Sequence, residues 1–162
     1  RCVLNLDDIT YLQDQVKPKQ VVSVRLAIEP ETARLAAIYG TKADHDQIEM
    51  CADRCRNAPD WRGYEAWDNK LHHQIARATQ NKLYLYYFET LNVVRRSVVW
   101  GQPRKSLRPV ANYSSFLEHD IIVQAILSHD GDLAAQAMSN HLRSVYGRIL
   151  PTMDMAIPKE FA

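Results

Sequence analysis

Four residues combine a metal-binding side chain with a place on the apolar face of a predicted helix, namely Asp68, His72, His119 and His141. Asp68 and His72 are four residues apart, so their Cβ atoms would lie ~5–6 Å from each other on one helix face. A carboxylate and an imidazole in this arrangement can hold one cation, and they can equally form an ordinary hydrogen bond. The pair by itself favours the hydrogen bond.

The two later histidines change that balance. Each of the four residues alone could be a buried polar residue with one hydrogen bond, but four buried groups without partners would cost on the order of a few kcal/mol each. They therefore need one another or a shared ion, and three imidazoles with one carboxylate around a divalent cation would satisfy all four. Two other histidines serve as contrasts, because His45 is predicted in an exposed first turn and His129 at a helix C-terminus.

The ligand types leave the identity of the metal open. Mixed nitrogen and oxygen ligands suit zinc, nickel, iron, cobalt and manganese, and we prefer zinc and nickel. A two-thiolate metal clip at Cys51 and Cys55 is a weaker alternative, because no other Cys or His motif accompanies it. The odd number of cysteines instead favours free buried thiols in a reducing cytoplasm.

These side chains need helices to position them, and the spacing of apolar residues predicts six principal ones. The predicted ranges are about 19–39, 42–57, 60–79, 83–100, 115–128 and 132–150. Pro30 either kinks the first range or starts a second helix within it. Thr41 with Asp44, and Ser115 with Glu118, match the pattern of a capping box. No segment shows convincing period-two alternation, so the predicted fold class is an all-α bundle.

Composition limits the class of protein. A chain of 162 residues with 46% hydrophobic residues suits one globular domain. We place that domain at 19–150, after a linker or residual N-terminal segment at 1–18 and before a tail at 151–162. With 20 basic and 19 acidic residues, the chain has a formal charge of +1 and no basic run that could follow a phosphate backbone. No apolar stretch approaches 18 residues, which excludes a membrane span.

Several spaced motifs occur in one order. They are Arg25-x-x-Ile28-Glu29 with Leu35-Ala36-Ala37, Asp68-x-x-Leu71-His72, Ala78-Thr79-Gln80-Asn81, Glu118-His119 with Ala125-Ile126 and Asp130, and His141-Leu142. Over residues 20–150 this order resembles the FCD domain, the C-terminal effector-binding domain of FadR-subfamily GntR transcriptional regulators. The family usually has phenylalanine before the first histidine, where this chain has Leu71.

The resemblance implies an antiparallel helical bundle, a homodimer, and a divalent metal held by Asp68, His72, His119 and His141. It also implies that small organic acids bind beside the metal. The winged helix-turn-helix that should precede such a domain is not among these residues, and the chain begins at Arg1 without Met, so we expect a fragment. We therefore predict a cytoplasmic ligand-sensing domain that would contact DNA only through the missing N-terminal domain.

Two other functions remain open at this point. A metal-dependent enzyme could use the same aspartate and three histidines to activate water. It would also need a general base, and the nearest candidate, Glu118, is more simply a capping residue. A di-iron bundle would require two Glu-x-x-His pairs, which the sequence does not contain. The third possibility is an interaction module whose histidines merely pack.

We expect the effector to be a small carboxylate that completes the coordination of the metal. A positive side chain would then bind the rest of the acid. Arg25 is the first candidate, because it matches the arginine of the family motif and could form two parallel hydrogen bonds to a carboxylate. A salt bridge to Glu29 is an equally good role for it. Arg95 and Asn81 are further candidates, and the apolar ranges 83–99 and 21–38 are the predicted dimer surface.

Overall fold

The computed structural model describes residues 5–99 and 106–149, and it folds them almost entirely into α-helices. The helices are α1 (Leu6–Gln15), α2 (Pro18–Tyr39), α3 (Lys42–Arg56), α4 (Trp61–Ala78), α5 (Lys82–Val99), α6 (Ser114–Leu127) and α7 (Gly131–Ile149). No strand occurs in these two ranges. The predicted all-α fold class is therefore confirmed. The predicted loop at 101–105 and tail at 151–162 lie outside the described residues.

Helix α2 answers the question that Pro30 raised. The proline lies inside one uninterrupted helix of 22 residues, so it neither ends α2 nor starts a new one. An interior proline removes one backbone hydrogen bond and costs ~3 kcal/mol or more. The packing of α2 offsets this cost, because the helix contacts α4, α5, α6 and α7. Three fully buried alanines on α2, at 33, 36 and 37, allow its neighbours to approach closely.

Local hydrogen bonds set most of the helix starts. The predicted capping box of Thr41 and Asp44 is present at the start of α3, and the Asp60 side chain accepts from the Gly63 backbone N–H at 2.7 Å to start α4. The predicted capping box of Ser115 and Glu118 is wrong. Helix α6 begins one residue earlier, at Ser114, and its N-cap residue makes no side-chain hydrogen bond.

The core is one cluster of buried apolar side chains drawn from α2 to α7, with a smaller aromatic cluster beside it. The smaller cluster contains Cys55, Tyr64 and Phe116, with Trp61 and Tyr113 packed against it. Tyr64 also stacks against His119, with ring centroids 6.5 Å apart. The aromatic cluster therefore forms one wall beside the candidate metal ligands. None of the described helices is long and apolar enough to cross a membrane.

Candidate metal centre

The structure brings together the four residues that the sequence analysis selected. Asp68 and His72 come from α4, His119 from α6 and His141 from α7, and one ligand atom from each lies within 4.8 Å of the other three. His119 Nε2 is 3.1 Å and His72 Nε2 is 3.9 Å from the same Oδ1 atom of Asp68. Ligand atoms on opposite sides of one ion are about 4 Å apart at bonds of ~2 Å. The cluster needs only a small contraction to hold an ion.

The cluster is enclosed. The three histidines are 2–4% exposed, and the Asp68 side chain is the most accessible of the four groups at 20%. Nδ1 of His119 has no hydrogen-bond partner among the described residues, and its Nε2, although 3.1 Å from Asp68 Oδ1, is not aligned to form a hydrogen bond. A buried polar atom without a partner costs about 1–3 kcal/mol. A cation bound at Nε2 would remove one of these two deficits, so the donor set fits a metal ion.

The electrostatics of the site favour the protonation states that bind metals. Burial by itself would raise the pKa of the Asp68 carboxyl, but the close imidazoles of His119, His72 and His141 outweigh it and hold that pKa well below its usual range. Burial lowers the pKa of His141 to about 4, against the opposing effect of its bond to Glu118. Asp68 is therefore charged and His141 neutral at pH 7, as a metal ligand must be.

The ring of His72 is held from behind by α2. Its Nδ1 lies 2.7 Å from Glu29 Oε2, and the imidazole N–H donates to this carboxylate. Arg25 donates two hydrogen bonds to the same carboxylate, at 2.5 and 3.0 Å, and a third to the hydroxyl of Tyr146 at 2.7 Å. Burial opposes the charge on Glu29, but Arg25 and His72 outweigh it and hold its pKa far below the usual range.

The ring of His141 is held in a similar way across α6 and α7. Its Nδ1 lies 2.7 Å from Glu118 Oε2, while the other oxygen of Glu118 accepts from Ser144 at 2.6 Å and contacts Arg148 at 3.4 Å. Burial raises the pKa of Glu118, but these partners, His141 foremost, lower it to about 2. Glu118 is therefore a partner of a candidate ligand and not a helix cap.

Sequence reasoning missed the role of both glutamates. Glu29 is 43 residues from His72, and Glu118 is 23 residues from His141, so no local spacing links either pair. The prediction for His45 was also wrong. This histidine is buried, because its ring packs against that of His129 with centroids 5.1 Å apart. Two flanking aspartates made the position look exposed, but the fold brings the turn between α6 and α7 over it.

The predicted effector-binding residues occupy three different environments. Arg25 makes the salt bridge to Glu29 that was its alternative role. Arg95 is buried, and its guanidinium donates to the side-chain oxygens of Asn92, at 3.0 and 3.2 Å, and of Asn69, at 3.3 Å. Burial and the nearby charge of Arg25 lower the pKa of Arg95, whereas Asp68 raises it. Asn81 is exposed, and its Oδ1 accepts from the Leu83 backbone N–H at the start of α5.

The described residues form an all-helical domain that encloses one aspartate and three histidines. This fold and these side chains together define a class of helical domains with an enclosed candidate metal site. Within that class, the chain belongs to the FCD domain family, which matches residues 20–144. This confirms the resemblance read from the spaced motifs. It also favours a regulatory domain of GntR-type regulators over the metalloenzyme alternative.

Curated relatives are regulatory proteins. The regulatory protein assigned by name to the L-lactate dehydrogenase operon of Escherichia coli K12 is 29% identical over 144 residues, which are 88% of this chain and 53% of that protein. The Exu regulon transcriptional regulator of the same strain is 29% identical over 130 residues, 78% and 49% of the two chains. The Glc operon transcriptional activator is 26% identical over 132 residues, 77% and 52%. The chain thus spans about half the length of these relatives.

Proposed function

We propose that this domain senses a small organic acid through a divalent metal held by Asp68, His72, His119 and His141, and that it does so within a transcriptional regulator. The observation that carries the proposal is the convergence of these four side chains from three helices. The unpartnered ring nitrogens of His119 support it, because a bound cation would use one of them. The family and the regulatory relatives support the regulatory role.

The effector would be a carboxylate that binds the metal beside its four protein ligands. A carboxylate oxygen is a suitable extra donor on a five- or six-coordinate zinc or nickel ion held mainly by imidazoles. One relative's name includes the L-lactate dehydrogenase operon, and lactate is an acid of this size and charge. Of the positive groups, Arg95 is the better candidate to assist, because it lies within the electrostatic reach of Asp68. The hydrogen bonds of Arg25 already serve Glu29 and Tyr146.

The domain would act as a homodimer through the exposed face of α2 and α5. Mainly apolar side chains of α2 and α5, with Val16 just after α1, line a surface cavity of about 280 Å³ there, and two of its lining residues, Val24 and Tyr87, are about half exposed. A second copy of the same face would cover these groups. DNA would be contacted by the part of the regulator that the relatives carry beyond this length. The formal charge of +1 gives this domain little affinity for phosphates on its own.

The test is metal content together with effector response. The purified wild-type protein should bind one equivalent of zinc or nickel, and the double variant His119→Ala, His141→Ala should lose it. His73→Ala is the matched control, because His73 is adjacent to His72 but pairs with Glu89 at 3.0 Å. A full equivalent of metal in the double variant would show that the site is assigned incorrectly.

The effector part has its own test. Lactate should raise the melting temperature of the metal-loaded protein by mass action, and it should raise it much less after chelation. Equal stabilisation of both forms would mean that the acid binds away from the metal. Arg95→Lys retains the charge but changes the fork of hydrogen-bond donors, so weaker lactate binding in this variant is expected if Arg95 assists.

A further inference from the structure

We propose that Glu29 and Glu118 are positioning residues that fix the tautomers of His72 and His141, so that both rings offer Nε2 to the metal. This inference rests on the proposed metal site. In each pair, a carboxylate oxygen lies 2.7 Å from Nδ1 of the imidazole. A neutral imidazole that donates its Nδ1–H keeps the lone pair on Nε2. A carboxylate bonded to Nδ1 therefore leaves Nε2 as the nitrogen that can bind an ion.

The ring orientations agree with this assignment. His72 Nε2 is the ring atom that faces Asp68 Oδ1, at 3.9 Å, while Nδ1 faces away toward α2. The ring of His141 completes a triangle with the other two, with centroid distances of 5.5 Å to His72, 4.7 Å to His119 and 6.2 Å between His72 and His119. For His72 the outer carboxylate therefore lies on the side of the ring opposite to Asp68, and the Nδ1 contact of Glu118 leaves Nε2 of His141 as its remaining donor. The two outer carboxylates add negative charge beside the imidazoles, which makes each ring a stronger donor, without taking a place among the ligands.

Each outer carboxylate is itself held in one position. Glu29 is 2% exposed and accepts two parallel hydrogen bonds from Arg25. This bidentate pair fixes the orientation of the carboxylate and stabilises its charge. Glu118 is 20% exposed and is held by Ser144 and Arg148. Arg148 also donates to the hydroxyls of Ser114, Ser115 and Ser144. The first α-helical turn of α6 is thereby tied to the last turns of α7 around His141.

His119 differs from the other two histidines. Its Nδ1 is buried and has no hydrogen-bond partner among the described residues, so no outer carboxylate orients this ring. Packing does so instead, because the Tyr64 ring stacks on it. The Nε2 of His119 faces Asp68 Oδ1 at 3.1 Å. Of the three imidazoles, only those of His72 and His141 therefore have a carboxylate at Nδ1. A loss of either glutamate should affect its own histidine and leave the tautomer of His119 as it was.

Glu118 is the better residue for the test. Removing Glu29 would leave Arg25 as a buried charge without its partner, which can unfold the domain. Glu118→Ala removes the acceptor at the accessible edge of the site, and Glu118→Gln keeps an oxygen acceptor but loses the charge. The matched control is Asp120→Asn, which alters an acidic residue two positions along α6 whose carboxylate pairs with Arg56 at 2.5 Å.

The first measurement is zinc affinity by competition with a chromophoric chelator. We expect Glu118→Ala to bind zinc about 10–100-fold more weakly than wild type, Glu118→Gln to fall between them, and Asp120→Asn to match wild type. Cobalt-loaded samples give a second readout, since a turned imidazole should change the visible absorption bands. An affinity for Glu118→Ala within twofold of wild type would overturn the inference.

The second measurement needs no metal. Long-range ¹H–¹⁵N correlation spectra of the imidazoles in metal-free protein report which ring nitrogen carries the proton. We expect His72 and His141 as Nδ1–H tautomers in wild type, a shift of His141 alone toward Nε2–H in Glu118→Ala, and a smaller shift in Glu118→Gln, whose amide oxygen can still accept the Nδ1–H. An Nε2–H tautomer for His141 in wild type would refute the positioning role. If wild type binds no metal, the proposed function fails, and these spectra still decide the inference.

Discussion

The ion pair between Arg25 and Glu29 should contribute far more to stability than other ion pairs with the same spacing. Both side chains are nearly excluded from solvent, at 7% and 2% exposure. Removing one member of a buried pair leaves an uncompensated charge and costs about 3–5 kcal/mol. We expect Arg25→Ala to lower the free energy of unfolding by that amount. For a domain of this size, that corresponds to a fall in melting temperature of roughly 6–20 °C.

The structure offers a matched control for this prediction. Lys42 and Asp46 form another ion pair at i and i+4, but their side chains are 87% and 58% exposed. Exposed helical pairs contribute about 0.3–0.5 kcal/mol, so Lys42→Ala should change stability little. Urea unfolding of both variants, at equal protein concentration and with chelator present, gives the comparison. Equal losses in the two variants, or a loss below about 1 kcal/mol in Arg25→Ala, would refute the reasoning.

Three further predictions concern other parts of the molecule. Gly40→Ala should destabilise the junction of α2 and α3, because the added Cβ would lie 2.4 Å from the Ala36 carbonyl oxygen and 2.7 Å from His45 Nε2; urea unfolding should show a loss, and unchanged stability would contradict this geometry. Burial raises the pKa values of Cys51 and Cys55, so a thiol reagent at pH 8 should modify them slowly in native protein and rapidly in denaturant; equal rates would indicate exposed thiols. Zinc at 100 times its dissociation constant should add about 2.7 kcal/mol to stability, and chelator should remove it; an unshifted melting curve would mean that no metal binds the folded state.

The helices were predictable because their signals are local. An apolar residue every three or four positions, the capping box at Thr41 and the Asp60 cap all act within one or two turns, and the structure contains each of them. The same pattern failed at Ser115 and Glu118. There the two side chains form long-range hydrogen bonds to α7 instead of capping α6. Ser115 accepts from Arg148, and Glu118 pairs with His141.

The four candidate ligands were predictable for a related reason. Asp68 and His72 share a helix face through spacing alone, and the histidines at 119 and 141 stand out as polar residues in apolar rows, so their inward direction can be read without knowing how the helices pack. The partners behind them cannot be found in this way. Glu29 could have served Arg25 alone, and only the packing of α2 against α4 shows that it also reaches His72.

Helix α2 joins the two surfaces on which the proposed function depends. Arg25 and Glu29 face the metal ligands, whereas Val24 and Ile28, each one position earlier on the helix, line the apolar cavity at the proposed dimer surface. Residues one position apart point about 100° away from each other on a helix. A small rotation or shift of α2 would therefore alter the support behind His72 and the contour of the dimer surface together. If a metal-bound acid moved His72, the contact between His72 and Glu29 would pass that movement to α2. Because α2 also carries Val24 and Ile28, the dimer surface would respond through this one helix.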